Sequence, residues 1–430
     1  MTGLTGERDD PLAADAASPR SFTRPRELLT SDHWRLLWLL GAASFFEGYD
    51  FNIPTVALKP LRHSFGLSQS SAAVWLAVVY LGALPAVLAA RRADREGRRG
   101  LLLWAITGYT VFTAATAVAP DLGAFVGLQV LARFFLVLQI GLAWTVIAEE
   151  LPAGARGLGF GWLAMLSALG TGWSAILWGS LVHPLHGSWR WLYVAALPVI
   201  FVVGMLRRRL PETKRYRDAA AHHIEASWRD IVQRPHRRNL IVLCTVALLG
   251  NLTAQATVYV VDFMQTQRHL SASKASLTLV AAGAVAIPVL LLAGSLSDRI
   301  GRKPVVCSSL VLAVIGVACF FYAAHGELPL LLSLALIYAG VFGSWPTGSG
   351  FGAELFPTSL RALGSSFGNG AKYLGQSISF LLAGGLIGGA GSLARSSMIL
   401  SAGPLLAAVL IGRYFPETGG RELEDISAPR

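Results

Sequence analysis

Gly294-Ser-Leu-Ser-Asp298-Arg299-Ile-Gly301-Arg302-Lys303 closes one long apolar run, and Ala90-Arg-Arg-Ala-Asp94-Arg95-Glu-Gly97-Arg98-Arg99 closes another, 204 positions earlier (94 to 298). Nearly the same interval separates Pro152 from Pro357, Arg156 from Arg361, the Pro-Glu-Thr at Pro211 from that at Pro416, Pro85 from Pro288, and Pro198 from Pro404. So many pairs at one offset mark a duplicated chain. Duplicated halves built from long apolar runs are the plan found mainly among membrane transporters.

The composition agrees. Hydrophobic residues make up 53% of the 430 and charged residues 14%, against roughly 25% charged in soluble domains; the mean hydropathy is +0.53. Residues 63–90, 100–120, 157–189, 239–261, 275–297, 304–326 and 328–353 contain no Asp, Glu, Lys or Arg. Each is near or above the ~20 residues that cross a bilayer as a helix. Segments 36–58, 122–148 and 362–394 are as long and carry only Glu47 with Asp50, Arg133 and Lys372 respectively. With shorter runs at 191–206 and 396–412, the sequence predicts an all-α membrane protein of twelve transmembrane helices in two six-helix repeats. Six is even, so the halves share one orientation about an axis normal to the membrane.

The net charge of +11 does not point to nucleic acid. Lys and Arg gather in the segments that lie on one side under this topology, which is the positive-inside bias. It predicts a multi-pass protein of the plasma (inner) membrane with both termini cytoplasmic. The divisions expected are a disordered tail over 1–32, the first half over 33–206, a cytoplasmic connector over 207–237, the second half over 238–415, and a tail over 416–430. In the connector, Trp228 and Ile231 are expected to touch the membrane or the bundle. Cys244, Cys307 and Cys319 lie in apolar runs and read as small core residues. No His or Cys pair stands mid-membrane at metal-ligand spacing, and no Gly-Lys-Ser/Thr phosphate loop is present. Neither an enzyme nor a cofactor is expected, and the partners expected are lipid, a small solute and H⁺, on a monomer.

The quoted loop over Gly294–Lys303 resembles the signature between the eighth and ninth helices of the major facilitator superfamily. Its sister over Ala90–Arg99 resembles the loop between helices two and three, with Ala90 where that pattern has Gly. Pro211-Glu212-Thr213 and Pro416-Glu-Thr-Gly-Gly-Arg-Glu look like the endings of the sugar-porter and organic-ion branches. Glu47-Gly48-Tyr49-Asp50 is similar to the first-helix motif of aromatic-acid/proton symporters, which usually begins with Asp. The resemblance implies the major facilitator fold and transport by alternating access. The loop residues Asp94, Arg95, Arg98, Asp298, Arg299 and Arg302, with Glu149, Arg156, Glu354 and Arg361, are expected to form an inner gate. Their physics supports this, because a carboxylate there can cap a helix N-terminus or pair with arginine.

Charges inside the membrane carry the site. An ionisable group near the bilayer centre costs roughly 2.5–3.5 kcal/mol on insertion scales and usually faces a cavity or a partner. Glu47 and Asp50 are three apart and share a helix face. Carboxylates so close oppose simultaneous ionisation, which suits a proton carrier, and Pro54 is expected to break the helix beside them. Arg133 is expected to join the coupling network. Lys372, Asn251, Gln255, Tyr49 and Trp345 are the expected substrate contacts, Asn251 and Gln255 because the repeat sets them opposite Glu47 and Asp50. Asp262 is expected at the membrane–water interface. The reading favoured is proton-coupled uptake of a small organic solute, foremost an organic or aromatic acid, driven by the proton motive force. A sugar or polyol symporter, a drug/proton antiporter and, remotely, a non-transporting nutrient sensor are the alternatives.

Overall fold

A computed structural model describes residues 29–89, 98–152, 155–185, 187–198, 231–233, 236–356, 360–389, 391–415 and 417. They are helical almost throughout and fall into twelve helical units in chain order. In the first half these are α1 (Ser31–Ser64), α2 (Gln69–Leu81 continuing as Ala83–Ala89), α3 (Arg98–Thr116), α4 (Leu122–Glu150), α5 (Arg156–Ile176 ending in the π-helical Leu177–Val182) and the start of α6 (Arg190–Val194). The second half has α7 (Arg237–Gly250, Ala254–Val258 and Val260–Thr266), α8 (Ala272–Ile300), α9 (Arg302–Ala318 with the π-helical Cys319–Ala323), α10 (Glu327–Glu354), α11 (Arg361–Gly388) and α12 (Leu393–Leu400 and Ala402–Tyr414). Ser68, Asp121, Ser271 and Ser392 start α2, α4, α8 and α12 by accepting a backbone N–H of the first turn, which satisfies a donor the helix itself leaves free.

Eight described spans are long and apolar enough to cross a bilayer by composition alone. The chain is a multi-pass membrane protein. Large apolar side chains such as Leu131, Ile241, Leu332, Leu382 and Val409 cover its outside, where lipid takes them. Neither α1 nor α11 is among the eight; both carry polar groups inward.

The halves pack alike. In the first, α1 lies on α5, α2 on α4, and α3 on α4; in the second, α7 lies on α11, α8 on α10, and α9 on α10. These crossings need glycine at matched places. A β-carbon on Gly170 of α5 would fall 1.7 Å from the Phe45 carbonyl oxygen of α1, and one on Gly375 of α11 would fall 2.3 Å from the Leu248 carbonyl oxygen of α7. Backbones can meet so closely only where no side chain intervenes. Between the halves, α2 packs on α11 and α5 on α8; each pair is the image of the other under the repeat.

The two faces of the bundle differ. At the face away from the chain termini, one apolar core runs through both halves, joining Ile53, Trp75 and Trp178 to Val261, Leu279, Phe321 and Phe380. Toward the terminal face, the cores separate. One gathers Leu37, Leu102, Ile147 and Leu163, the other Leu243, Val306, Phe356 and Phe415. The halves are closed together at the far face, and toward the terminal face the cores are distinct apart from Tyr373 of α11, which packs into the first. Ile231 of the connector is fully buried in the second of these.

Pro54 does not break α1, which runs unbroken through Pro54 and Pro60 to Ser64. Flanking turns hold the helix across the missing N–H. The cost is local: proline has no donor for the carbonyl four residues back, here Asp50.

Candidate functional site between the halves

Glu47 and Asp50 lie on α1, 7% and 4% exposed. Arg133 of α4 is 2% exposed, its guanidinium 4.5 Å from the Phe51 ring centroid and 4.8 Å from that of Tyr80. Such cation–π contacts hold a desolvated arginine without neutralising it. Arg133 acts electrostatically on Asp50; Lys372 and, less strongly, Arg133 act on Glu47. Lys372 rises from α11 over the Tyr373 ring, 5.6 Å from its centroid. The Tyr80 ring meets Phe380 of α11 at 5.1 Å between centroids. The structure therefore brings together two acids from α1, an arginine from α4 and a lysine from the opposite half.

Opposite the acids, α7 is discontinuous. Its first segment ends at Gly250, and Asn251–Thr253 form a turn before the helix resumes. The Asn251 amide Nδ2 donates to the Ala247 carbonyl at 2.8 Å, which leaves its Oδ1 to accept from Gln376 Nε2 of α11 at 3.3 Å. Broken helices at mid-depth are a common way to offer polar groups to a solute. Asn251, Gln376 and Lys372 share this region of the second half. Gln376, one turn beyond Lys372, was missed by sequence reasoning; its i, i+4 spacing from Lys372 was the available signal.

Two expected substrate contacts are engaged elsewhere. The Tyr49 hydroxyl donates to the Leu192 carbonyl at 2.6 Å with the side chain buried, tying α1 to α6. Gln255 Nε2 donates to Ser397 Oγ at 3.1 Å, fully buried between α7 and α12. Adjacent positions on a helix point to different sides, and these two point into their own halves. The Trp345 side chain lies outside the described residues. So do Asp94 and Arg95 entirely, and the side chains of Arg98, Glu149, Arg156, Asp298, Arg299, Glu354 and Arg361.

Of the expected inner gate, the described part is the start of α9. Gly301 adopts φ +99, a conformation favourable only to glycine. The Glu417 carboxylate accepts from the Arg302 and Lys303 backbone N–H groups at 2.7 and 3.2 Å. An anion at a helix N-terminus is stabilised by the free donors and the dipole. The second loop motif and the second Pro-Glu-Thr ending thus meet in one cap.

The far face holds a contact that sequence reasoning did not foresee. Asp262 of α7 is not at the water interface; its carboxylate is 0% exposed and sits between the halves. It accepts from Arg62 Nη1 of α1 at 2.8 and 3.0 Å and from Gln69 Nε2 of α2 at 2.7 Å. The Tyr259 hydroxyl adds a bond to the Gln69 carbonyl at 2.8 Å. Further along the same interface, Ser377 Oγ of α11 donates to the Ala77 carbonyl of α2 at 2.8 Å, and Ser273 Oγ of α8 to the Gly179 carbonyl of α5 at 2.5 Å.

The chain matches the family description Major Facilitator Superfamily over residues 40–291 and 241–429. It belongs to that superfamily. Members of the Major Facilitator Superfamily are membrane transporters, not enzymes, and this chain is a secondary transporter of a small metabolite. Among relatives within the superfamily, it is 26% identical to the alpha-ketoglutarate permease of Escherichia coli over 406 residues, 83% of this chain and 91% of that one. It is 24% identical to the ectoine/proline transporter ProP of Corynebacterium glutamicum over 420 residues, 88% and 80% of the two chains. The niacin transporter NiaP of Acinetobacter baylyi is 29% identical over 188 residues, 43% of this chain and 42% of that one. In fold, the crystal structure of a D-xylose-proton symporter superposes with a TM-score of 0.75 at 19% identity, covering 91% of this chain and all of that one (100%).

Proposed function

We propose that the protein takes up a small organic acid together with a proton, by alternating access. One observation carries the reading: Glu47, Asp50, Arg133 and Lys372, all intramembrane, converge between the halves beside the break in α7. Carboxylates that gain and lose a proton can set the charge of the cavity, and the cations can receive an anionic solute. In the proposed cycle, Asp50 and Glu47 bind the proton, Lys372 binds the solute carboxylate, and Asn251 orients it. Arg133 favours release of the proton once the solute has left. The solutes named for the relatives, α-ketoglutarate, niacin, ectoine and proline, all bear a carboxylate, which supports an acid over a sugar.

The termini are proposed to face the cytoplasm of a plasma membrane, following the distribution of Lys and Arg, with the chain acting as a monomer. On that orientation the described state is closed outside, and Arg62, Gln69 and Asp262 form the outer gate. The loop residues Asp94, Arg95, Arg98, Asp298, Arg299 and Arg302, with Glu149, Arg156, Glu354 and Arg361, are proposed for the inner gate.

The test is uptake of labelled α-ketoglutarate, nicotinate, proline and xylose into proteoliposomes under an imposed pH gradient. Accumulation of a carboxylate that a protonophore abolishes, and that Asp50→Asn loses while retaining exchange at equal pH, is the expected result. Full pH-driven accumulation by the Glu47→Gln/Asp50→Asn double variant would overturn the proton site.

A further inference from the structure

Buried polar atoms nearly always find a partner, and each one left without costs about 1–3 kcal/mol. Among the described residues, α1, α3 and α4 together hold an unusual set whose hydrogen bonds are unmade or poorly aligned. Asp50 Oδ1, Ser44 Oγ, Tyr109 OH, Thr113 Oγ1, Arg133 Nη1 and both amide atoms of Gln139 have no well-formed bond, although Thr113 lies within reach of Asp50, Ser44 of Glu47 and Tyr109 of Thr110. Tyr109, Thr113 and Gln139 are 0% exposed, Ser44 1%. Nothing in the cycle above uses these four side chains.

Their heights follow from the helical rise of about 1.5 Å per residue. Ser44 precedes Asp50 on α1 by about 9 Å, and Tyr109 precedes Thr113 on α3 by about 6 Å. Gln139 follows Arg133 on α4 by about 9 Å. Since α1 and α3 run away from the terminal face and α4 runs toward it, all three steps descend to that same face. Thr113 and Arg133 act on Asp50 at the upper level. Tyr109 interacts with both acids, and Ser44 with Glu47. The charged groups facing the series are Arg133 from α4 and Lys372 from α11; Tyr193 of α6 adds a hydroxyl near Asp50.

We infer that Thr113, Tyr109, Ser44 and Gln139, bridged by water, form a proton path inside the first half that leads from Asp50 past Glu47 to the terminal face, separate from the solute's route between the halves. The inference rests on Asp50 being the proton carrier. Water belongs there because hydroxyl and amide groups without well-formed protein bonds are the sites that hold buried water. The proton first leaves the Asp50 carboxyl oxygen for a hydroxyl or water oxygen, which passes its own hydrogen to the next oxygen, until a water at the terminal face receives one. Gln139, whose amide oxygen carries no hydrogen, orients the bridging water and does not relay. Asp50 ends as a carboxylate beside Arg133, and no hydroxyl changes its charge. The arrangement would give the proton an exit of its own once the solute has left.

The experiment uses the whole chain in proteoliposomes with the carboxylate that the wild type accumulates, and pyranine inside to follow proton entry. Thr113→Val and Tyr109→Phe keep side-chain shape and remove one hydroxyl each. Their double variant is expected to slow pH-driven uptake and proton entry on the order of tenfold, since a positioned proton-transfer group is worth more and water replaces part of it. Exchange at equal pH stays within about twofold, and Thr113→Ser restores the rate. An unchanged proton flux, or a loss of exchange in proportion to uptake, would overturn the inference. If Asp50→Asn still accumulates solute, the proton carrier itself is misassigned; if only the hydroxyl variants behave as wild type, the path alone is wrong.

Discussion

Asp262→Asn tests whether the far-face contact is a gate or only packing. In the wild type the buried carboxylate receives two bonds from Arg62 and one from Gln69. Breaking a buried ion pair by removing one partner costs about 3–5 kcal/mol. Asparagine retains one acceptor oxygen, and the Arg62 side chain is 18% exposed, so water recovers part of the loss. About 2 kcal/mol remains against the closed far face, a shift of roughly 30-fold toward its opening at 1.4 kcal/mol per decade. The probe is a cysteine at Ala73, which is 0% exposed and lies against Gly384 of α11, in a background lacking Cys244, Cys307 and Cys319. An impermeant maleimide added at the far face reaches it only when α2 and α11 separate. While opening stays the minor state, the labelling rate reports its population and should rise roughly 30-fold in Asp262→Asn. The Arg62→Gln/Asp262→Asn variant, with no stranded charge, should rise less. A rate within threefold of wild type for Asp262→Asn, in protein that remains folded, would refute the assignment.

Lys372→Ala should raise the half-saturating concentration for exchange of an anionic solute by about tenfold or more, since a charged hydrogen bond is worth about 1.5–3 kcal/mol; an equal effect on a neutral solute would remove Lys372 from carboxylate recognition. Gly48→Ala should abolish folded protein by fluorescence-detected size exclusion, because its β-carbon would fall 1.9 Å from the Ser167 carbonyl oxygen, whereas Gly172→Ala meets open space and should behave normally. Glu417→Gln removes the charge from the α9 cap at a cost of about 1 kcal/mol. Its melting temperature in detergent should fall by about 1 °C, with an unchanged value showing the cap to be idle.

The plan of the fold was legible because it is written in quantities a sequence preserves: lengths of apolar runs, an offset repeated through the chain, and the sign of loop charges. Glu47, Asp50, Arg133 and Lys372 could be singled out because a charge in a span is rare whatever its neighbours. What could not be read was which way a side chain faces. Tyr49 and Asp50 are adjacent, yet one bonds within its own half and the other lies with the intramembrane charges. Thr113 and Tyr109 look like ordinary residues of an apolar helix until the acids of α1 are set beside them. Arg62 and Asp262 stand near the ends of separate helices, and only the closure of the two halves makes them a pair.

That pair also departs from the duplication. At the offset of the repeat, the place of Asp262 in the first half is taken by Leu58, and that of Arg62 in the second half by Thr266. The axis that relates the copied halves runs along the membrane normal, so it exchanges one half for the other but never the far face for the terminal face. Duplicated residues act in pairs at one face, whereas Arg62 and Asp262 make a single contact there. Sequence drift in the shared crossings would be felt in both postures alike, whereas drift at Arg62 or Asp262 would retune the resting balance alone and leave the machinery of rocking untouched.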